Sequence, residues 1–400
     1  MEHGITTVKQ FRKTYLLFAL FVNVLVTMYM IINDDNSMEE KTKYAHYFRF
    51  LYCAVWSICA TWYLKDKIKG ELKTRTIKSF ILFAITTCVS LCITHVGNIL
   101  QLASNLLLFV TPCFTIMGCY SYGYKYGKEN STIYLIAFTI LACALSYISI
   151  YKTHNVLGER GHFGVAYYAL YLLPLILASD KRWLRIISII IISIIIISSV
   201  KRGGFLALAI GIFVYLYVSR VVSKNSLKSS IILYIYLIVV AVFLYFLIQY
   251  IGDDIIERFM DSDDDTGSGR LYIWESLYYR LKTQDVILWI FGNGHLATTV
   301  YSWENLSAHN DFLEILYNYG LFNLFIYVSF VFSVATYTIH AIRQKSKLAP
   351  CLAMFLTIFL ILSMISIIIL SHTCTLSMIT IGFLIGWNEY DKKQLLLTEE

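Results

Sequence analysis

WLRIISIIIISIIIISSVKRGGFLALAIGIFVYLYVSRVV, residues 183–222, decides what kind of protein this is. Two nearly unbroken apolar runs, 183–200 and 203–222, flank a short turn that holds Lys201, Arg202, Gly203 and Gly204. A helix needs roughly 20 apolar residues to cross the ~30 Å hydrocarbon core of a bilayer, and each run is about that long. Backbone polar groups in lipid must be satisfied within the segment, so these runs read as helices and not as open strands. The pattern recurs outward in both directions, with candidate spans at 14–32, 44–64, 79–95, 99–122, 131–151, 163–179, 230–251, 310–339, 350–370 and 374–388. The expected fold is all-α: a polytopic integral membrane protein with about 12 transmembrane helices, residues 1–400 forming a single membrane domain.

Composition agrees. Of the 400 residues, 58% are hydrophobic and 15% charged, more apolar surface than a soluble domain of this length can hide. The first apolar run follows Lys9, Arg12 and Lys13 and has no small-residue cleavage site behind it, so it reads as a retained anchor. All of the nine cysteines but Cys374 lie well inside apolar runs and none forms a CxxC pair, which suits small buried hydrophobes. The nine histidines include no HxxxH pair, and the acidic run at Asp261, Asp263, Asp264 and Asp265 lacks the spacing of a calcium loop. No metal and no cofactor is expected.

The net charge of +7 reports orientation. Basic residues collect in alternate loops: Lys65, Lys67, Lys69, Lys73, Arg75 and Lys78, then Lys125 and Lys128, then Lys181, Arg182 and Arg185. Arg220, Lys224 and Lys228, then Arg343, Lys345 and Lys347, and finally Lys392 and Lys393 continue the set. The positive-inside rule makes these loops cytoplasmic, and with them both termini. No nucleic-acid partner is implied. The protein is expected in the bacterial inner (cytoplasmic) membrane, with its active site facing the periplasm. Arg49 lies about a turn from the outer edge of its span, where a snorkelling side chain accounts for it.

Two outward features stand apart. One is the long acidic loop at about 252–308, since loops of that length usually exist for function. It contains a glycine turn leading into Arg270 and an amphipathic helix with Leu271, Trp274, Leu277, Tyr278 and Leu281 on one side. The other is the pair Lys201 and Arg202, which breaks the charge rule and suits retention for a ligand. Arg202 offers a planar fork of donors for a diphosphate, and Gly203 permits close approach of backbone to ligand.

A helical pattern then opens at Ser307-Ala-His-Asn-Asp-Phe-Leu-Glu and runs to about His340, longer than the hydrocarbon core requires. With Ser307 as the N-cap, His309 and Asn310 would sit in the first turn, where backbone N–H groups and the helix dipole favour an anion. A neutral His309 beside a bound phosphate is what a general base needs. Hydrogen bonding at a water-exposed helix start is the structural alternative for this histidine. Arg160 and His162, in Gly158-Glu-Arg-Gly-His-Phe ahead of another span, are secondary candidates.

In order and setting these elements resemble the O-antigen ligase/O-antigen polymerase superfamily of bacterial envelope glycan enzymes. The residues that carry the resemblance are Lys201-Arg202-Gly203, Gly269-Arg270 ahead of Leu-Tyr-Ile-Trp, Ile290-Phe-Gly-Asn-Gly, and Ala308-His-Asn-Asp-Phe-Leu-Glu-Ile-Leu-Tyr-Asn-Tyr-Gly-Leu. The detailed match covers about 155–330. It departs at Val165-Ala166-Tyr167, where the family often has asparagine, and at Asn323, where a glycine usually stands. The first departure counts against Arg160 and His162, and the second bears on helix packing.

The resemblance implies a metal-independent, inverting glycosyltransferase that uses an undecaprenyl-diphosphate-linked oligosaccharide as donor. In that chemistry His309 is the catalytic residue, Arg202, Arg270 and Lys201 bind the diphosphate, and Asn310 and Gly203 support the site. The bilayer and a chain-length regulator or other glycan-assembly proteins are the expected partners. A repeat-unit polymerase is the favoured reading and a ligase to lipid A-core the alternative. A flippase is the reading from another class, which the three prolines and the few ionisable residues deep in the spans argue against.

Overall fold

The computed structural model describes residues 2–32, 38–68, 75–94, 98–157, 165–199, 202–223, 231, 234–235, 270–302 and 306–399. Every regular element among them is a helix. In chain order these are α1 (Glu2–Ile32), α2 (Met38–Ile68), α3 (Arg75–Thr94), α4 (Ile99–Tyr126), α5 (Asn130–Leu157), α6 (Val165–Leu177) and α7 (Arg182–Ser198). There follow α8 (Arg202–Val222), α9 (Arg270–Thr283), α10 (Val286–Phe291), α11 (Ala297–Tyr301), α12 (Asp311–Arg343), α13 (Ala349–Ile365) and α14 (His372–Glu399).

Six helices of the described residues are long and apolar enough to cross a membrane: Thr7–Ile31, Arg75–Thr94, Ile99–Tyr126, Asn130–Ile148, Gly203–Val222 and Asp311–Arg343. Ala166–Leu177 and Ala349–Ile365 are apolar and shorter. The sequence led us to expect about 12. The segments 44–64, 183–200 and 374–388 lie in or along α2, α7 and α14, and 230–251 lies outside the described residues except at 231, 234 and 235.

At the centre of the bundle α14 runs along α4, and Gly386 lets their backbones close up: a Cβ there would lie 2.7 Å from the Tyr120 carbonyl oxygen. Such small-residue contacts are how helices gain packing energy in lipid, where no hydrophobic force drives them together. α2 covers α4 on one side, α3 packs on both α4 and α12, and α13 pairs with α8.

Ion pairs gather at one end of this bundle. Arg12 and Lys125 both reach the buried Asp66, at 3.2 and 2.6 Å, and Lys128 meets Asp180 at 2.7 Å. The opposite end carries a second, small core in which Ile273, Leu277 and Leu281 of α9 pack with Ala297, Ala308 and Tyr317. That corrects the expected face of α9: Leu271 and Tyr278 are 53% and 54% exposed, and Ile273 takes their place inside. The helix is anchored to the loop and to α12 through one stripe and shows Leu271, Tyr272, Tyr278 and Tyr279 outward.

Candidate active site

The helix that carries the site begins later than the sequence suggested. Asn310 is the N-cap of α12: its side-chain oxygen accepts the Leu313 N–H at 3.1 Å, and Asp311 is the first helical residue. Ser307 does not cap the helix, and His309 lies outside it with φ 48°. A left-handed backbone at a residue with a side chain is strained by about 1–2 kcal/mol, so its neighbours must hold it.

They do so at Ala308. Its N–H donates to Glu314 Oε1 at 2.7 Å, and its carbonyl accepts the Trp274 indole N–H at 2.7 Å. Glu314 is buried within the first turns of α12 and also accepts Thr298 Oγ1 at 2.5 Å and Asn318 Nδ2 at 2.8 Å. Asn318 is fixed in turn, because its Oδ1 accepts the Thr298 backbone N–H at 2.9 Å. The other acid, Asp311, is also buried and accepts the backbone N–H groups of Ile368 and Ile369 at 2.8 and 3.1 Å. This pins the turn between α13 and α14 inside the protein, the setting in which irregular backbone is tolerated at membrane depth. The start of α12 is thus already supplied with two carboxylates, so cationic side chains are better placed than the helix end to take a phosphate.

α12 is not one continuous rod. At Gly320 (φ 85°, ψ 171°) the helix breaks, and Gly292 (φ 83°) fits against the break. A Cβ on Gly320 would lie 2.1 Å from the Ile290 carbonyl oxygen, and one on Gly292 would lie 2.3 Å from that of Asn318. The carbonyls freed by the break find donors: Tyr317 O accepts the Asn293 N–H at 2.9 Å, and Asn318 O accepts the Gly294 N–H at 3.0 Å. Tyr319 O accepts Asn323 Nδ2 at 2.7 Å. The loop motif Ile290-Phe-Gly-Asn-Gly and the helix motif Tyr317-Asn-Tyr-Gly are therefore two halves of one clasp. Asn323, a departure from the family pattern, satisfies a carbonyl that the break exposes.

Arg270 heads α9, the helix whose Trp274, one turn on, holds Ala308. Its guanidinium lies within electrostatic reach of the Tyr167 phenol on α6. The Tyr167 hydroxyl in turn lies 3.4 Å from where a Cβ on Gly203 would stand, and Ile365 of α13 crowds the same spot at 2.2 Å. Next to Ile365, the Met364 carbonyl accepts Asn310 Nδ2 at 3.3 Å. The chain of contacts closes a ring. It brings the starts of α6, α8, α9 and α12 and the end of α13 together, with His309, Asn310, Gly203 and Arg270 in one neighbourhood and Arg202 heading α8 beside Gly203. Lys201, Arg160 and His162 lie outside the described residues, as do 252–269 of the long loop.

Residues 187–328 match the family model of the O-antigen ligases. The match supports the O-antigen ligase/polymerase superfamily. It takes in most of α7, all of α8, the loop helices and the broken start of α12, so Lys201, Arg202, Gly203, Arg270, His309 and Asn310 all fall within the matched segment. Arg160 and His162 fall before it. No curated protein matches the chain.

Sequence reasoning gave no role to Trp274, Thr298, Asp311, Glu314 or Asn318, nor to Tyr167. One signal was present: two carboxylates opening an apolar helix need partners, and buried ones need several.

Proposed function

We propose that this membrane protein is a glycosyltransferase of the O-antigen polymerase/ligase type, and that its reaction runs where His309, Arg202 and Arg270 converge. The observation that carries this reading is the clamp on Ala308, which ties the strap bearing His309 to the helix that Arg270 heads. The donor is a glycan on undecaprenyl diphosphate, presented at the periplasmic face. An acceptor sugar hydroxyl attacks the anomeric carbon from the side opposite the diphosphate, so the configuration inverts. The bond from that carbon to the diphosphate oxygen breaks, and undecaprenyl diphosphate leaves with the electron pair. Arg202 and Arg270 neutralise the charge that develops on it, with Lys201 as a third cation. His309 takes the proton of the attacking hydroxyl, and Asn310 and Gly203 shape the site around it. No step calls for a metal or a nucleotide sugar.

Two acceptors fit this chemistry. We favour a second lipid-linked repeat unit, which makes the protein a polymerase. Transfer to lipid A-core, a ligase reaction, is the alternative that the likeness to the O-antigen ligases favours. In a deletion strain a single repeat on the final acceptor identifies a polymerase, and accumulated long lipid-linked chains identify a ligase.

The site is tested by His309→Ala, Arg202→Ala and Arg270→Ala. Each is expected to reduce glycan transfer by about 10²- to 10⁴-fold while the protein still reaches the membrane in normal amount. Normal glycan in all three strains overturns the proposal.

A further inference from the structure

Arg49 does not snorkel. Its Nη1 donates to Ser104 Oγ on α4 at 3.0 Å, which turns the side chain into the bundle, and its Nε is buried without a hydrogen-bond partner. Among the described residues no carboxylate pairs with it. One turn along α2 the Tyr52 hydroxyl donates to Asn23 Oδ1, and Thr27 on the same stretch of α1 meets His372 Nε2 through its Oγ1 at 2.9 Å. None of these brings a negative charge. A cation held inside a membrane protein by one neutral hydroxyl is costly, and an anion is what offsets it.

Position narrows what that anion is. Arg49 lies at the same end of the bundle as His309. Tyr52, one turn along α2, places its ring 5.4 Å from that of His372 at the start of α14, and Tyr168 approaches His372 at 5.9 Å. Tyr168 follows Tyr167, which faces Gly203 and Arg270. Arg49 thus sits across the start of α14 from Arg270 and the start of α8. On the same stretches of α2 and α4, Tyr47, Phe50 and Leu100 are all at least 40% exposed and give apolar surface on which a hydrocarbon chain can lie.

We infer that Arg49, with Ser104, binds the phosphate group of a second lipid, and that this lipid is the acceptor's polyprenyl diphosphate. The half-buried Arg49, with its Nε enclosed and unpartnered, carries the phosphate site by itself, whereas the acceptor's identity rests on the proposed glycosyl transfer. Two lipid diphosphates bound on either side of one helix start are what a polymerase requires and what a ligase to lipid A-core does not.

The test is native mass spectrometry of the full-length protein with undecaprenyl diphosphate, with inorganic diphosphate and phosphatidylglycerol as parallel probes. Wild type is expected to hold two undecaprenyl diphosphates. Arg49→Gln is expected to hold one, the lost site being weakened by about tenfold to a hundredfold, and Arg49→Lys is expected to fall between. Unliganded Arg49→Gln should unfold at or above the wild-type temperature, because the substitution removes a half-buried charge that no carboxylate of the described residues pairs. A lowered midpoint would mark Arg49 as structural and overturn the site. Two lipids retained by Arg49→Gln would overturn it as well. Equal loss of phosphatidylglycerol would make the occupant a bulk phospholipid, and occupancy by inorganic diphosphate would make it a free anion; either overturns the acceptor assignment. Arg270→Gln is expected to remove the other lipid. If it removes neither, the donor site of the proposed function falls while the Arg49 site stands.

Discussion

Replacing Glu314 by glutamine changes one atom and should disable the strap that carries His309. The carboxylate accepts from three donors, the Ala308 N–H, Thr298 Oγ1 and Asn318 Nδ2. Asn318 cannot flip to help, since its Oδ1 already holds the Thr298 N–H. A glutamine must therefore set its NH₂ against either the Ala308 N–H or the Asn318 amide. One buried donor is left facing another donor in both orientations, at about 1–3 kcal/mol, and a charge-assisted bond is weakened to a neutral one, at about 1 kcal/mol more. A net loss of about 2–4 kcal/mol exceeds the ~1–2 kcal/mol by which the left-handed His309 resists its conformation. With the clamp outweighed, the remaining strain of ~1–2 kcal/mol decides, and the fraction of protein with His309 in place should fall about 5- to 30-fold. Purified protein assayed with lipid-linked donor should show that loss in kcat, with KM for the donor little changed because the arginines are untouched. Wild-type kcat in a well-folded Glu314→Gln protein would refute the idea that Glu314 positions His309.

Two further outcomes follow from other parts of the molecule. Gly320→Ala puts a Cβ 2.1 Å from a backbone carbonyl and adds strain at positive φ, so the clasp with Gly292 should open by more than about 2 kcal/mol; limited proteolysis within 284–302 reads it out, and an unchanged digestion pattern would refute the clasp. At the other end, burial pushes the Asp66 carboxyl up, but hydrogen bonds from Lys125, Ser121 and Arg12 outweigh it and hold the group below its ordinary range. That stabilisation is fully present above the unfolded carboxylate's pKa of ~3.9 and is lost as pH falls through the depressed folded value. Asp66→Asn leaves Arg12 buried and unpaired, at about 3–5 kcal/mol, and removes this acid limb. Thermal midpoints at pH 7 and below pH 4 test both statements: the variant should be the less stable at pH 7, and the gap should narrow in acid.

What the sequence determined by itself was the solvent and the neighbourhood. Apolar runs such as 203–222 leave a chain no option but helices in lipid, because no water is there to satisfy an exposed backbone, and that is readable from composition along the chain. The charge-rule exception at Lys201 and Arg202, the glycine-led Arg270 and the motif at His309 pointed to the region that the family model then matched. The tertiary structure alone decided how His309 is held. The apolar periodicity runs on through Gly320 and gives no sign that the helix breaks there, since the break depends on Gly292, far off in sequence, filling the space a Cβ would take. The N-cap went to Asn310 and not Ser307 because Asp311 and Glu314 are drawn to backbone N–H groups of other segments, at Ile368, Ile369 and Ala308. Local pattern fixes which residues prefer lipid or a helix end; partners distant in sequence fix where a helix starts, where it breaks, and which cation is left inside without a counter-charge.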